Sequence, residues 1–183
     1  MKQRFHVCET EMGFVGVVLS DKGVRATTVP CAEYEEAMQR TIALGAAEPA
    51  APAEVSDLDE RIRAVACGRE GGEGLPIDWE GLTPFRRGVL EETMRIPAGQ
   101  TRSYGWLAAK VGRPRAARAV GRVMATNPLP LVVPCHRVVA GDGSLRGYGG
   151  GLPMKERLLK AEGARMPTEG CEDGRHVCGK RRN

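Results

Sequence analysis

The sequence lacks long apolar runs and has few cysteines. No stretch of about eighteen apolar residues occurs in the 183 residues, which excludes a membrane-spanning helix. The first residues also lack the apolar segment of a secretory signal, so we expect a cytoplasmic protein without a membrane partner. Six cysteines with no C-x-x-C pair are too few for a disulfide scaffold and give no zinc ribbon.

Acidic residues are absent from one long stretch of the chain. None occurs between Glu92 and Asp142. The net charge is −7 over residues 1–82, +9 over residues 83–163 and +2 over residues 164–183. The acid-free stretch carries eight cations, namely Arg95, Arg102, Lys110, Arg113, Arg115, Arg118, Arg122 and Arg137. Such one-sided charge in a segment with folding signals predicts a polyanionic partner.

The first 82 residues contain the signals of a small α/β domain. Residues 14–19 and 24–29 are rich in β-branched side chains, and the turn residues 20–23 between them predict a β-hairpin. A helix is expected over residues 32–44. The Ala/Pro-rich residues 45–54 and the glycine-rich residues 57–82 predict loops. We expect residues 1–82 to form a supporting domain with a loop-rich linker.

Residues 83–163 contain sharper helix signals. Thr83 and Pro84 predict a helix start, and the helix is expected to end at residues 96–99. A second helix is expected from a Ser103 cap to Lys110, and a third from Pro114 to about residue 125. Two short helices joined by a glycine-containing turn predict a helix-turn-helix in a mostly helical second domain. The whole chain is therefore expected to be a two-part α/β protein.

The predicted third helix has two faces. At about 100° per residue, Arg115, Arg118 and Arg122 share one side, while Val120 and Met124 lie on the other. A solvated basic face is the ordinary interpretation, and the absence of intervening acids favours a polyanion-binding face instead. The small residues of this helix fit either close approach to a groove or a helix crossing.

A possible reactive group follows a short apolar segment. Cys135 and His136 come directly after residues 129–133, and an imidazole is well suited to take the proton of a thiol. In an extended chain their side chains point to opposite faces, which predicts a bridging water. Glu162 falls in the apolar arc of the last helix and would be satisfied by a bond to His136. Lys155, in the first turn of that helix, is expected to reach solvent. A buried thiol beside a histidine in a purely structural role remains the alternative.

These features together resemble a known family. Residues 118–138 read RAVGRVMATNPLPLVVPCHRV, residues 147–152 read GYGGGL, and residues 155–159 read KERLL. The pattern resembles the signature of the O6-alkylguanine-DNA alkyltransferases, also called methylated-DNA–protein-cysteine methyltransferases. It covers residues 83–163 closely and the first domain only loosely.

The resemblance implies a single-turnover repair protein that transfers the alkyl group of O6-alkylguanine in DNA to Cys135, and leaves open whether O4-alkylthymine is a second substrate. His136 would deprotonate the thiol through water, Glu162 would orient His136, and Asn127 would brace the turn. Tyr104 would press on the target phosphate and protonate the departing guanine, and Arg118 would fill the gap left by the flipped base.

The expected partner is double-stranded DNA bound through its minor groove by a monomer, near the nucleoid in a prokaryote. The other implied contacts are Arg102, Arg115 and Arg122 on DNA, and Met124, Val138, Tyr148 and Gly149 around the base.

Three other functions remain open at this stage. An alkyltransferase-like protein would bind the lesion without repair, but such proteins replace the acceptor cysteine. A helix-turn-helix regulator accounts for the basic face and leaves Cys135, His136 and Glu162 unexplained. A cysteine hydrolase leaves the acid-free stretch unexplained. No cofactor or metal is expected, and residues 164–183, with Cys171, His176 and Cys178, are expected to be a disordered tail.

Overall fold

The computed structural model of the chain describes residues 3–69 and 74–164. The expected tail and its Cys171, His176 and Cys178 lie outside the described residues. The described part forms a two-part α/β fold, with a sheet and two helices in the first part and mostly helices in the second. No described helix has the length and apolarity needed to cross a membrane.

The first part is built on a four-stranded sheet. Its strands are β1 (Arg4–Thr10), β2 (Gly13–Ser20), β3 (Gly23–Thr27) and the short β4 (Glu48–Pro49), in the order β3-β2-β1-β4. The first three strands pair antiparallel, and β4 pairs parallel to β1. The expected hairpin is β2 and β3. β1 was not expected, because its polar residues obscure the alternation of apolar and polar side chains that is typical of a strand. In the structure Cys8 of this strand is buried in the core.

Two helices pack on this sheet. They are α1 (Tyr34–Ala43), close to its expected position, and α2 (Pro52–Ala66). The expectation of loops over residues 45–54 and 57–82 is wrong for α2. Pro52 at the helix start and the spacing of Val55, Leu58 and Ile62, all buried against the core, account for this helix.

Three helices form the centre of the second part. They are α3 (Pro84–Met94), α4 (Tyr104–Lys110) and α5 (Ala117–Ala125), each in contact with the other two. The Thr83 and Ser103 hydroxyls accept bonds from the first turns of α3 and α4, as the capping signals predicted.

The prediction that Pro114 opens the third helix is wrong. Pro114 and Arg115 lie in a turn, which the Ala116 amide closes on the Arg113 carbonyl at 2.8 Å. Arg115 therefore precedes the helix and is not part of its face.

The remaining elements bring distant residues together. A 3-10 helix (Cys135–Arg137) leads into β6 (Val138–Val139), and α6 (Gly151–Ala161) packs on the 3-10 helix. The short strand β5 (Arg102–Ser103) pairs parallel with β6, which places the start of α4 beside the Cys135 segment. The expectation of an extended chain at Cys135 and His136 is wrong, because Arg137 donates its amide to the Pro134 carbonyl and closes a turn.

Candidate active site

A tightly bonded turn precedes Cys135. Asn127 donates through Nδ2 to the Val133 carbonyl at 3.0 Å and accepts at Oδ1 from the Leu129 amide at 3.0 Å. Leu131 takes a left-handed backbone conformation with φ of 72°. From the first part, Thr27 donates its hydroxyl to the Pro130 carbonyl at 2.6 Å. The turn is therefore fixed by its own asparagine and by strand β3.

The Cys135 thiol is nearly enclosed, with the residue 7% exposed. Burial raises the pKa of the thiol above its ordinary value, and a side-chain hydrogen bond with Asn127 and the charge of Lys155 oppose that rise. A buried thiol is an inert group unless a base takes its proton. The chemistry therefore depends on what surrounds Cys135.

His136, the next residue in the chain, is the candidate for such a base. Its Nε2 lies 2.8 Å from Glu162 Oε1, and Nδ1 is buried with no hydrogen-bond partner among the described residues. Burial lowers the pKa of the imidazole, and the hydrogen bond with Glu162 opposes that shift, so the ring is neutral at neutral pH. Because a carboxylate only accepts, we assign the ring proton to Nε2. Nδ1 then carries a lone pair that can accept a proton.

Glu162, at the end of α6, is held in its ionised form. Burial acts to raise the pKa of the carboxyl, but hydrogen bonds from His136 and Arg137 outweigh it and lower that pKa. Arg137 donates through Nε and Nη2 to Glu162 at 2.7–3.0 Å, and through Nη1 to the Ile96 carbonyl at 2.6 Å. The two side chains, 7% and 1% exposed, are a buried ion pair.

The sequence reasoning missed the place of Arg137. It was grouped with the other cations of the acid-free stretch, but its guanidinium is buried inside the protein and compensates Glu162. The available signal was its position beside His136, since a buried carboxylate that faces an imidazole needs a cation nearby to remain ionised.

The expectation that Lys155 reaches solvent is wrong. The residue is 1% exposed, and Nζ donates to the Val138 carbonyl at 2.7 Å and the Arg146 carbonyl at 3.1 Å. Burial lowers the pKa of this amine to about 8. Lys155 therefore ties the segment after Cys135 to the loop before Tyr148 and places a cation near the thiol.

Two tyrosines border the thiol. Burial raises the pKa of Tyr104, which stands at the start of α4, and raises that of Tyr148 well above its ordinary value; the charge of Cys135 adds to both shifts. The Tyr148 hydroxyl is buried without a partner among the described residues. Both phenols therefore remain protonated and can donate at neutral pH.

The other expected base-pocket residues lie on separate elements. Met124 Sδ lies 3.8 Å from the Thr93 hydroxyl, inside the contact of α3 with α5. Val138 offers its carbonyl to Lys155, and a side chain at Gly149 would lie 3.7 Å from Val29 of the first part.

Three exposed arginines just before α5 and along it lack acidic partners among the described residues, although other exposed cations of the second part, such as Arg87 and Lys160, are paired. Arg115, Arg118 and Arg122 are exposed, and within the described ranges none of the three forms an ion pair. Arg118 and Arg122 line a cleft of about 480 Å³ between α3 and α5, together with Phe85 and Arg86. In the first part, by contrast, Arg4, Lys22, Arg25 and Arg40 are each paired with a carboxylate.

Arg102 occupies a different place. Its guanidinium lies 5.4 Å from the centre of the Trp106 ring and donates to the Gln100 side chain at 2.6 Å.

No group of three or more His, Cys, Asp and Glu side chains suited to a metal ion occurs in the part of the chain that the structure describes.

Comparison with known proteins gives consistent matches. Residues 84–164 match the family model described as 6-O-methylguanine DNA methyltransferase, DNA binding domain. A methylated-DNA–protein-cysteine methyltransferase of Salmonella typhimurium is 54% identical over 83 residues, which are 45% of this chain and about half, 48%, of that relative's length. A protein of the same name from Shigella flexneri is 38% identical over 80% of this chain and 88% of its own.

A solved structure shares the fold. Mycobacterium tuberculosis OGT in complex with DNA aligns with a TM-score of 0.70 at 29% identity, covering 92% of this chain and 96% of that one. The similarity therefore extends over both parts of the chain and not only over its second half.

Proposed function

The chain belongs to the family of methylated-DNA–protein-cysteine methyltransferases, and we propose that it repairs DNA by transferring the alkyl group of O6-alkylguanine to Cys135. This is the family that residues 118–159 resemble, so that prediction is confirmed. The observation that carries the proposal is a buried thiol directly before a neutral imidazole in the chain, with Nε2 of that ring bonded to an ionised carboxylate and Nδ1 without a partner among the described residues.

The relay activates the thiol when substrate is in place. His136 Nδ1 takes the thiol proton through one water, and Glu162 stabilises the imidazolium that forms. The thiolate attacks the alkyl carbon, so that an S–C bond forms and the C–O6 bond breaks with its electron pair going to guanine. Tyr104 donates a proton to the departing base, and the proton lost by the thiol finally replaces it. Because a thioether is not easily displaced, the protein reacts once.

Two helices supply the DNA contacts. We assign α4 and α5 to a helix-turn-helix that enters the minor groove, with Arg118 in the space left by the flipped nucleotide. Arg102, Arg115 and Arg122 would contact phosphates, which agrees with the exposure of Arg115 and Arg122 and their lack of ion-pair partners among the described residues. Binding would then weaken as salt rises and depend little on sequence.

The rest of the chain has a supporting role in this scheme. Met124, Val138, Tyr148 and Gly149 would enclose the flipped base, and Asn127 would hold the acceptor turn. Residues 1–82 would act as a supporting domain and residues 83–163 as the DNA-binding and acceptor domain. With a net charge of −7, the first domain would face away from the duplex. We expect the protein to act as a monomer at chromosomal DNA.

Mass spectrometry tests the proposal. After incubation with a duplex containing O6-methylguanine, the peptide that carries Cys135 gains the mass of one methyl group, whereas Cys135→Ser protein gains nothing. Loss of the lesion with unmodified Cys135 would contradict the proposal. Tight binding to the lesion with neither modification nor loss would instead favour a non-repairing lesion-binding protein.

A further inference from the structure

Two glycines enclose the backbone of Glu162. Gly68, just after α2, has φ of +75°, and a Cβ built there would lie 2.5 Å from the Ala161 carbonyl oxygen and 2.8 Å from the Glu162 nitrogen. Gly99, after α3, has φ of +73°, and its Cβ would lie 2.8 Å from the Glu162 carbonyl oxygen. Both positions therefore bring bare backbone against the residue that faces His136.

Neither side of the Gly68 contact has room to move. The turn at Gly68 is closed by bonds from the Gly68 amide to the Val65 carbonyl at 3.1 Å and from the Arg69 amide to the Ala64 carbonyl at 2.8 Å. Val65 is buried in the core beneath it. Across the contact, the Glu162 amide bonds the Leu158 carbonyl at 3.1 Å, so the end of α6 is equally fixed.

The carboxylate of Glu162 has little tolerance for displacement. It receives hydrogen bonds from His136, from Arg137 and, at 3.2 Å, from the Gly99 amide. Its place relative to these donors follows from the place of its Cα, and Gly68 approaches the backbone at the amide of Glu162 while Gly99 approaches it at the carbonyl. A shift of about 0.5 Å or more along the bond would stretch the His136–Glu162 bond of 2.8 Å beyond the ordinary hydrogen-bond range of about 2.7–3.2 Å.

We propose that Gly68 and Gly99 are positioning residues for the Glu162–His136 relay, and that the first part of the chain thereby sets the reactivity of Cys135. The inference rests on the proposed function for its kinetic consequence. It makes the turn after α2 part of the reaction machinery rather than only a support for the fold.

The test compares Gly68→Ala with Gly81→Ala. Gly81 also has a left-handed backbone, with φ of +82°, but a Cβ there meets nothing within 4 Å. Both variants carry the same kind of backbone strain, and only Gly68→Ala carries the collision with Glu162. The rate at which free O6-benzylguanine alkylates Cys135 is measured as a function of pH. Each rate is normalised to the amount of protein that is alkylated when the reaction is complete, so that inactive protein does not lower it.

We expect Gly68→Ala to react about tenfold more slowly than wild type, because a 1 Å displacement of a reacting group costs on the order of a hundredfold and this one is smaller. Gly81→Ala keeps the wild-type rate. In a Glu162→Gln background, Gly68→Ala has no further effect, since the relay is already broken. Equal rates for Gly68→Ala and Gly81→Ala, or an equal slowing in the Glu162→Gln background, would overturn the proposal.

Two additions keep the result decisive. Gly99→Ala collides with the Glu162 carbonyl and must also slow the reaction, which provides a second variant if Gly68→Ala does not fold. The ¹⁵N shifts of the His136 ring report its bond to Glu162 without any alkyl transfer, and they change in the colliding variant but not in Gly81→Ala. Changed shifts in a protein whose wild-type Cys135 is never alkylated would refute the proposed function and leave the positioning role intact. Unchanged shifts would refute the positioning role.

Discussion

Replacement of Glu162 by glutamine tests the relay and its electrostatics together. The glutamine amide has nearly the same shape but no charge, so the Arg137 guanidinium, 7% exposed, becomes a buried cation without a counter-ion. Removing one partner of a buried ion pair costs about 3–5 kcal/mol. For a chain of this size that loss corresponds to a fall in Tm of about 6–20 °C.

The same change damages the base. If the amide N–H group faces Nε2 of His136, the ring must carry its proton on Nδ1 and cannot accept the thiol proton. If the amide oxygen faces Nε2 instead, the N–H group opposes the donors of Arg137. We expect alkylation of Cys135 to slow by about a hundredfold, the lower end of what a general base contributes.

The pH dependence of unfolding gives a further check. The folded-state pKa of Glu162 is lowered from its ordinary 4.5. Stability from this carboxylate is therefore present above about pH 4.5 and is lost as the pH falls through the folded-state pKa. The difference in Tm between wild type and Glu162→Gln should shrink in that acid range.

Glu156→Gln is the matched control for this experiment. It makes the same substitution on α6, at a side chain that is 45% exposed and forms an ion pair with Lys160. Its unfolding free energy should change by at most about 0.5 kcal/mol, and its alkylation rate should not change. If Glu162→Gln has the Tm and the alkylation rate of Glu156→Gln, the relay account is refuted.

Three further predictions concern the thiol, the turn and the DNA. Lys155→Met should slow alkylation of Cys135 about tenfold below pH 8, which is equivalent to one pKa unit of lost thiolate stabilisation. Because the pKa of Lys155 is about 8, the difference in rate between wild type and variant should narrow at higher pH, where the wild-type amine loses its proton. Lys160→Met, at an exposed lysine, should show neither the slower rate nor the pH dependence. Asn127→Ala leaves the Leu129 amide unpaired and removes one of the two donors to the Val133 carbonyl, which keeps its bond from the Cys135 amide; it should lower the unfolding free energy by about 1–3 kcal/mol in denaturant titrations. An unchanged midpoint would show that the turn does not depend on Asn127. Arg118→Ala, at an exposed site, should leave Tm and the reaction with free O6-benzylguanine unchanged while slowing repair in a duplex, and an unchanged duplex rate would exclude its role as the inserted residue.

Local chemistry predicted the starts of α3 and α4 well, although it placed the start of α5 too early, at Pro114. Thr83, Pro84 and Ser103 act within one turn of their own position, so their capping roles follow from sequence alone. Helix α2 was not predicted, because the alanines and prolines before it are typical of a loop. Only the spacing of Val55, Leu58 and Ile62 indicates the buried face of a helix. Strand β1 was missed for a similar reason.

The errors at the site came from contacts distant in sequence. Lys155 stands in the first turn of a helix, where a lysine normally reaches water, but the chain after Cys135 and the loop ending at Arg146 close over it. Arg137 belongs to a basic stretch by sequence and to Glu162 by structure. Glu162 lies on the buried side at the end of α6, as its angular position predicted, and Arg137 is the cation that keeps this buried carboxylate ionised.

The stoichiometry of the reaction tests the central claim most directly. With a large excess of duplex containing O6-methylguanine, repaired product should rise once and stop at one equivalent of active protein, with each molecule methylated at Cys135. Cys135→Ser protein should repair none. Continued turnover beyond one equivalent, or repair by Cys135→Ser, would contradict the account.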